Sequence, residues 1–249
     1  MRRAPATAPW KERGLSMRLN RRVDLALYAQ ALVVYARNVG VLVFPLIAAA
    51  IALGLDYASR PLFAPVGGAF YPIVALIIAI LYGFAFAVAV IFADDAWRHG
   101  RARIGAAWTA ARRKGGNILL AVIGFLFLIY VAQLIGGLAG DYGAKVLGAL
   151  AVWAFIYAIP AAAIGGVPGG ASFSASLQGA RRHPVATAIL TIVSIAVYYG
   201  LGLIVPDLIG QYLGIGYDVA RILLMAIALG YVALIAARQY SDLAFRPYW

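Results

Sequence analysis

The sequence predicts an all-α integral membrane protein: six transmembrane helices forming three helical hairpins, each preceded by a short amphipathic interfacial helix on the cytoplasmic side. Three observations carry this expectation. Six long apolar stretches recur along the chain, and roughly 20 apolar residues suffice to cross a hydrocarbon core about 30 Å thick. The polar segments between them alternate between rich and poor in Lys and Arg. A basic-ended helical pattern precedes the first, third and fifth stretches. The composition, 64% hydrophobic against 12% charged, lies far outside the range of soluble domains.

The first span is expected from about Val39 to Leu55, the second from Tyr71 to Ala93, and the third within Gly115 to Gly140. The fourth starts after Lys145 and ends near Ile164 with Pro160 inside it; the fifth runs from Val185 to Val205. The sixth, Ile222 to Ala237, is the shortest, with Arg221 and Arg238 as flanking cations. Pro45 and Pro160 are expected to kink spans one and four. The apolar, glycine-broken stretch Asp207 to Asp218 reads as a segment lying along the outer interface. Residues 1–22 form a basic cytoplasmic tail, 23–240 a single membrane domain, and 241–249 a cytoplasmic C-terminal tail.

Charge sets the orientation. Arg2, Arg3, Lys11, Arg13, Arg18, Arg21, Arg22 and Arg37 precede span one. Arg98, Arg101, Arg103, Arg112, Arg113 and Lys114 follow span two, and Arg181 and Arg182 follow span four. The opposite side carries only Arg60, Lys145 and Arg221, with Asp56, Asp141, Asp207 and Asp218, so both termini are expected in the cytoplasm. Tyr57, Tyr71, Tyr142, Tyr212 and Tyr217 would form an outer aromatic belt. The net charge of +12 suggests nucleic acid, but its placement beside apolar spans is explained by topology and anionic headgroups, so no nucleic-acid partner is expected.

The basic segments resemble one another. Ile104, Trp108 and Ala111 precede Arg112-Arg113-Lys114; Phe173, Leu177 and Ala180 precede Arg181-Arg182-His183, 69 positions later. Ala29, Val33 and Ala36 precede Arg37-Asn38, 75 positions before the second copy. Each trio falls on one helical face, which divides the chain into parallel units of about 23–97, 98–166 and 167–240.

The runs DDAWRHGRARIGAAWTAARRKGGNILLAVI and AIPAAAIGGVPGGASFSASLQGARRHPVATAIL resemble a poorly characterised family of six-span bacterial and archaeal membrane proteins. The same unit occurs as the membrane domain attached to some glycerophosphodiester phosphodiesterases. Gly100-Arg101, Ala106 to Arg113, Pro160 and Ser174 to Arg182 occupy the family's positions, over about Asp94 to Leu190. Where family members often carry an acidic residue after span four, this chain has only GGVPGGAS. The resemblance implies the six-span fold; without the catalytic domain it implies no phosphodiesterase activity.

Chemistry-bearing residues are few. Asp94 and Asp95 are the only adjacent carboxylates, and Asp94 is expected to form an interfacial ion pair with Arg98, one helical turn on. His99 and His183 lack metal-ligand spacing, and cysteine is absent, so no cofactor, metal or catalytic residue is expected. No charge lies in the middle of a span, which counts against an ion-coupled pump. Milder polar groups, among them Thr187, Thr191, Ser194 and Tyr199, either hold helices together or line a pathway. The expected function is a scaffold or accessory subunit contacting other membrane subunits, or itself, and anionic lipid through Arg37, Arg112, Arg113, Lys114, Arg181 and Arg182. The rival expectation is a permease for a lipid-like or neutral solute, with Tyr130, Gln133, Tyr198 and Tyr231 along its path.

Overall fold

A computed structural model describes residues 25–63, 71–213 and 216–243; the basic tail 1–22 and most of 241–249 lie outside them. The described residues are helical almost throughout. Helix α1 spans Ala26–Arg37. A 3-10 turn over Val39–Leu42 leads into α2, Val43–Phe63. Helices α3 (Tyr71–His99), α4 (Ile104–Arg113) and α5 (Gly115–Gly137) follow. Next come α6 (Asp141–Phe155), α7 (Ala158–Ala163) and α8 (Ala171–Arg182). Helix α9 (Pro184–Tyr199) runs through a π-helical segment, Gly200–Ile204, into α10 (Val205–Leu213), and α11 (Gly216–Asp242) ends the described chain. Among the described residues six helical segments are long and apolar enough to cross a membrane, making this a multispanning membrane protein.

Several boundaries differ from the hydropathy reading. The fourth span begins at Asp141, so Lys145 lies inside it. The sixth covers 27 residues and includes both Arg221 and Arg238. The stretch after Pro206 continues helically from the fifth span into α10. Hydropathy marks where a chain prefers lipid, whereas a helix runs on until its backbone hydrogen bonds stop, and long cations at its ends are tolerated.

Proline placement explains two local departures. Pro45 sits in the first turn of α2 directly after the 3-10 turn, where a missing N–H costs little. Pro160 lies within α7 and removes the donor that would bond the Ile156 carbonyl, and the fourth span breaks between Phe155 and Ala158. Ser176 of α8 repairs the break: its hydroxyl accepts from the Tyr157 N–H at 3.1 Å and donates to the Ala154 carbonyl at 2.9 Å.

Consecutive spans pack along one another: α2 on α3, α5 on α6, and α9 with its π-helical segment on α11. Between these pairs α3 meets α5, α6 meets α9, and α11 returns against α2, so the packing closes on itself. Helices α3, α7 and α11 touch in the middle, through small buried residues such as Ala89, Ala93, Ala161, Ala162, Ala233 and Ala237. With lipid as apolar as leucine, such close backbone approach supplies the dispersion contacts that hold spans together. Gly136 of α5 makes another such approach, to the backbone of Gly143 in α6, and Gly140 turns the chain between them at φ 91°. Burial concentrates in the half of the bundle that carries the short helices, from Ala85 onward in α3 and from Met225 onward in α11, while Tyr71, Ile73, Leu76 and Ile77 face outward.

Removing the Ser176 hydroxyl strands a buried N–H, at a cost of about 1–3 kcal/mol. Ser176→Ala is therefore expected to lower the thermal midpoint in detergent by several degrees; an unchanged midpoint would mean that Tyr157 finds another acceptor.

Candidate functional site

Each short helix ends in basic residues and turns into a span at a single non-helical joint. The joints are Asn38 (φ −130°, ψ 53°), Lys114 (φ −104°, ψ 9°) and His183 (φ −131°, ψ 59°). The joints thus fall at Asn38 and Lys114, one residue off the register read from the sequence. The shift also changes the buried face of α1. Leu27 and Ala31 are buried, whereas Ala29, Val33 and Ala36 point outward, Val33 being 52% exposed. In α4 and α8 the buried rows are likewise small: Ala107 and Ala111, then Ser172, Ser176 and Ala180.

Arg37, Arg112, Arg113, Arg181 and Arg182 are exposed, and none forms an ion pair with a described residue. Lys114 parts from them. It is half-buried and turned inward, and its ammonium donates to the Ala163 carbonyl at 2.8 Å, near the C-terminal end of α7 where the helix dipole favours a cation. Burial pulls its pKa below the usual 10.5, opposed by Asp94 and seconded by Arg98. Asn38, 6% exposed, clips the loop after α3: its amide donates to the Val34 and Gly100 carbonyls, both at 3.1 Å, and its oxygen accepts from the Ala102 N–H at 3.2 Å.

Beneath this rim lies a buried polar chain that the sequence reading missed. Gln239 of α11 donates to the Tyr157 hydroxyl at 3.0 Å and to the Ala186 carbonyl at 2.8 Å. The Tyr157 and Thr187 hydroxyls are hydrogen-bonded at 3.2 Å, and Thr187 donates to the His183 carbonyl at 2.9 Å. Since the Thr187 proton is committed to His183, the Tyr157 hydroxyl donates to Thr187, and the chain runs one way from Gln239 to the α8–α9 joint. Tyr28 of α1 donates to the Gln239 oxygen at 3.4 Å, and Tyr231 returns a bond to the Tyr28 carbonyl at 3.1 Å. Burial first, then Tyr231, raises the Tyr28 phenol to about 12, so it remains a donor at neutral pH. One signal in the sequence pointed here: an uncharged amide beyond Arg238, just past the expected end of span six.

The remaining candidates are dispersed. Arg98 lies 2.6 Å from Asp94, which also accepts from Ser241 at 3.1 Å; Asp95 pairs with His99 at 2.7 Å. Among the described residues no three of His, Asp and Glu gather as metal ligands. Tyr130, 64% exposed, and Gln133 lie on the outer surface of α5, with Gln133 packed over Gly148. Tyr198 is partly buried on α9 with its ring edge-on to Tyr199, and Tyr231 is engaged with Tyr28. The structure does not bring these four together. At the end of the bundle away from the short helices, Tyr57, Tyr71 and Tyr217 donate to Asp218, Asp56 and Asp207, each at 2.8 Å.

Gln239→Leu keeps the volume but removes the donor to the Tyr157 hydroxyl and the Ala186 carbonyl and the acceptor of the Tyr28 hydroxyl; the expected loss of about 1–3 kcal/mol is read as a lowered thermal midpoint. Lys114 gives a pH signature. Between its lowered pKa and 10.5 the unfolded chain binds more protons, so its contribution to stability rises with pH through that window. The wild-type midpoint minus that of Lys114→Arg, which does not titrate, should climb as pH approaches 10.5; a flat difference would contradict the burial of the ammonium.

No family model matches the chain, and neither a curated protein nor a solved structure matches it.

Proposed function

We propose that this protein is a non-catalytic scaffold or accessory subunit of a bacterial or archaeal inner membrane, with both termini in the cytoplasm. Its basic rim holds anionic lipid headgroups, and its apolar outer faces pack against other membrane subunits or a second copy. The observation that carries this reading is the set of five exposed guanidiniums, Arg37, Arg112, Arg113, Arg181 and Arg182, at the ends of three short helices and without an ion pair to a described residue. Arginine in that position is available to phosphate, and a planar fork binds it in two-point fashion. Lys114, engaged by the Ala163 carbonyl, is left out of the set.

The reading divides the chain into three units, each a short interfacial helix followed by a two-helix hairpin. It is supported by the matched backbone angles at Asn38 and His183 and by the packing order. Each short helix lies on the second span of the unit before it: α4 on α3, α8 on α6 and α7, and α1 on α11, which completes the circle. A pseudo-threefold ring of parallel repeats accounts for that order, and it sets the three basic ends around one rim. The inferred kinship with the six-span membrane domain rests on the same segments.

A basic residue near an anionic surface contributes about 1 kcal/mol, or roughly fivefold in local affinity. Purified from mixed anionic and zwitterionic liposomes, the wild type should retain anionic lipid preferentially by mass spectrometry. Replacing Arg112, Arg113, Arg181 and Arg182 by Gln should reduce that preference at least fivefold, and an unchanged ratio would remove the lipid role. The scaffold role requires a stoichiometric membrane partner or self-association in mild detergent; a lone monomer would count against it.

A further inference from the structure

Helix α9 carries polar side chains at Thr187, Thr191, Ser194 and Tyr198, spaced so that all fall on one face. The first belongs to the Gln239–Tyr157 chain. The next two do not. Thr191 is 4% exposed and Ser194 8%, and among the described residues neither Thr191 Oγ1 nor Ser194 Oγ has a hydrogen-bond partner. Thr187 bonds the His183 carbonyl, four residues back at the joint where the helix begins, and neither of the next two hydroxyls makes the corresponding bond.

The packed neighbours offer no substitute. Helix α9 packs on α11, α6, α8 and the π-helical segment, and the buried hydroxyls of α8 are committed elsewhere, Ser172 to the Gly169 carbonyl and Ser176 to that of Ala154. Between Met225 and Gln239 the buried side chains of α11 are apolar: Ala228, Leu229, Val232, Ala233, Ile235 and Ala236 are among them. Those of α6 are Gly148 and Ala151. A hydroxyl buried in such surroundings without a partner is costly, and the usual resolution is a bound molecule with hydrogen bonds of its own. The inner end of the face is closed by the Thr187–Tyr157–Gln239 chain. At the other end stand Tyr198 and the π-helical segment Gly200–Ile204, whose Gly202 lies so close to Met225 that a Cβ would touch its sulfur at 3.1 Å.

We infer that Thr191 and Ser194 form an internal binding site for a small neutral hydrogen-bonding molecule, water or a hydroxylated solute. The molecule is neutral because α9 is uncharged along its length and α11 carries no charge between Arg221 and Arg238. It is small because the two hydroxyls sit on adjacent turns of one helix, with Cβ atoms about 5–6 Å apart. This site shares no residue with the arginine rim and stands or falls without it.

The test compares Thr191→Val, Ser194→Ala and the double variant with the wild type by thermal midpoint in detergent, with Thr191→Ser as a control that keeps the hydroxyl. An occupied site loses a hydrogen-bonded ligand, so Thr191→Val and Ser194→Ala should each lower the midpoint by about 2–4 °C, and Thr191→Ser should lower it less than Thr191→Val. A midpoint at or above the wild-type value for both replacements overturns the proposal, because unpartnered hydroxyls, or hydroxyls turned onto their own helix, are removed without loss. Should Thr191→Val fail to fold, Ser194→Ala decides alone. The two occupants separate on added glycerol, which stabilises any folded protein by exclusion. Extra stabilisation of the wild type over the double variant identifies a hydroxylated solute, and equal stabilisation identifies water.

Discussion

A backbone or side-chain donor released inside a hydrocarbon core has no water to turn to, and the architecture of this protein follows from how each such donor is met. Pro160 breaks the fourth span, and the hydroxyl of Ser176 answers on both sides of the gap. That bond fixes α8 against the broken helix. Helix α8 then sets the His183 joint, where the span α9 begins and where Thr187 anchors the Gln239 chain. Through Gln239 and Tyr28 the same chain reaches α1, at the opposite end of the sequence. The break is thus bridged by Ser176, and Tyr157, which lies in it, carries the polar chain that ties α9, α11 and α1 together.

Charge obeys the same constraint in the other direction. A cation that finds an internal acceptor is drawn in, as Lys114 is by the Ala163 carbonyl, while Arg98 stays exposed and meets Asp94 at the surface. Arg238 lies 2.9 Å from Asp242 and stacks over Trp97, whose indole donates to the Leu234 carbonyl at 3.0 Å. The arginines at the helix ends have no such acceptor and stay at the surface. The distinction between structural and available cations is therefore one of geometry, since both kinds sit in the same basic runs.

Much of the fold was legible because it is local. Length and apolarity identify a span without reference to any other part of the chain, and the expected spans overlap the six helical ones. Ends were less legible, since Lys145 and Arg221 lie on continuing helices and hydropathy alone stops at a charge. Two adjacent arginines, Arg112 and Arg113, offer two alignments to the single Arg37, and the helix ends at Arg37 and Arg113 favour the second. The aromatic residues read as a belt turned out in part to be hydrogen-bond donors, Tyr57, Tyr71 and Tyr217 each meeting an aspartate.

By itself the sequence determined the solvent of this protein, its number of long apolar helices and the uneven distribution of its charge. These are sums over neighbouring residues. Tertiary structure decided that Gln239 and Asn38 are organising residues, that Lys114 faces inward, that Tyr130 and Gln133 lie apart from Tyr198 and Tyr231, and that Thr191 and Ser194 are left wanting. A hydrogen bond between Tyr28 and Gln239 joins residues 211 positions apart. No local pattern encodes such a pair, because whether a polar side chain is satisfied depends on which distant atom the packing brings within 3.5 Å of it.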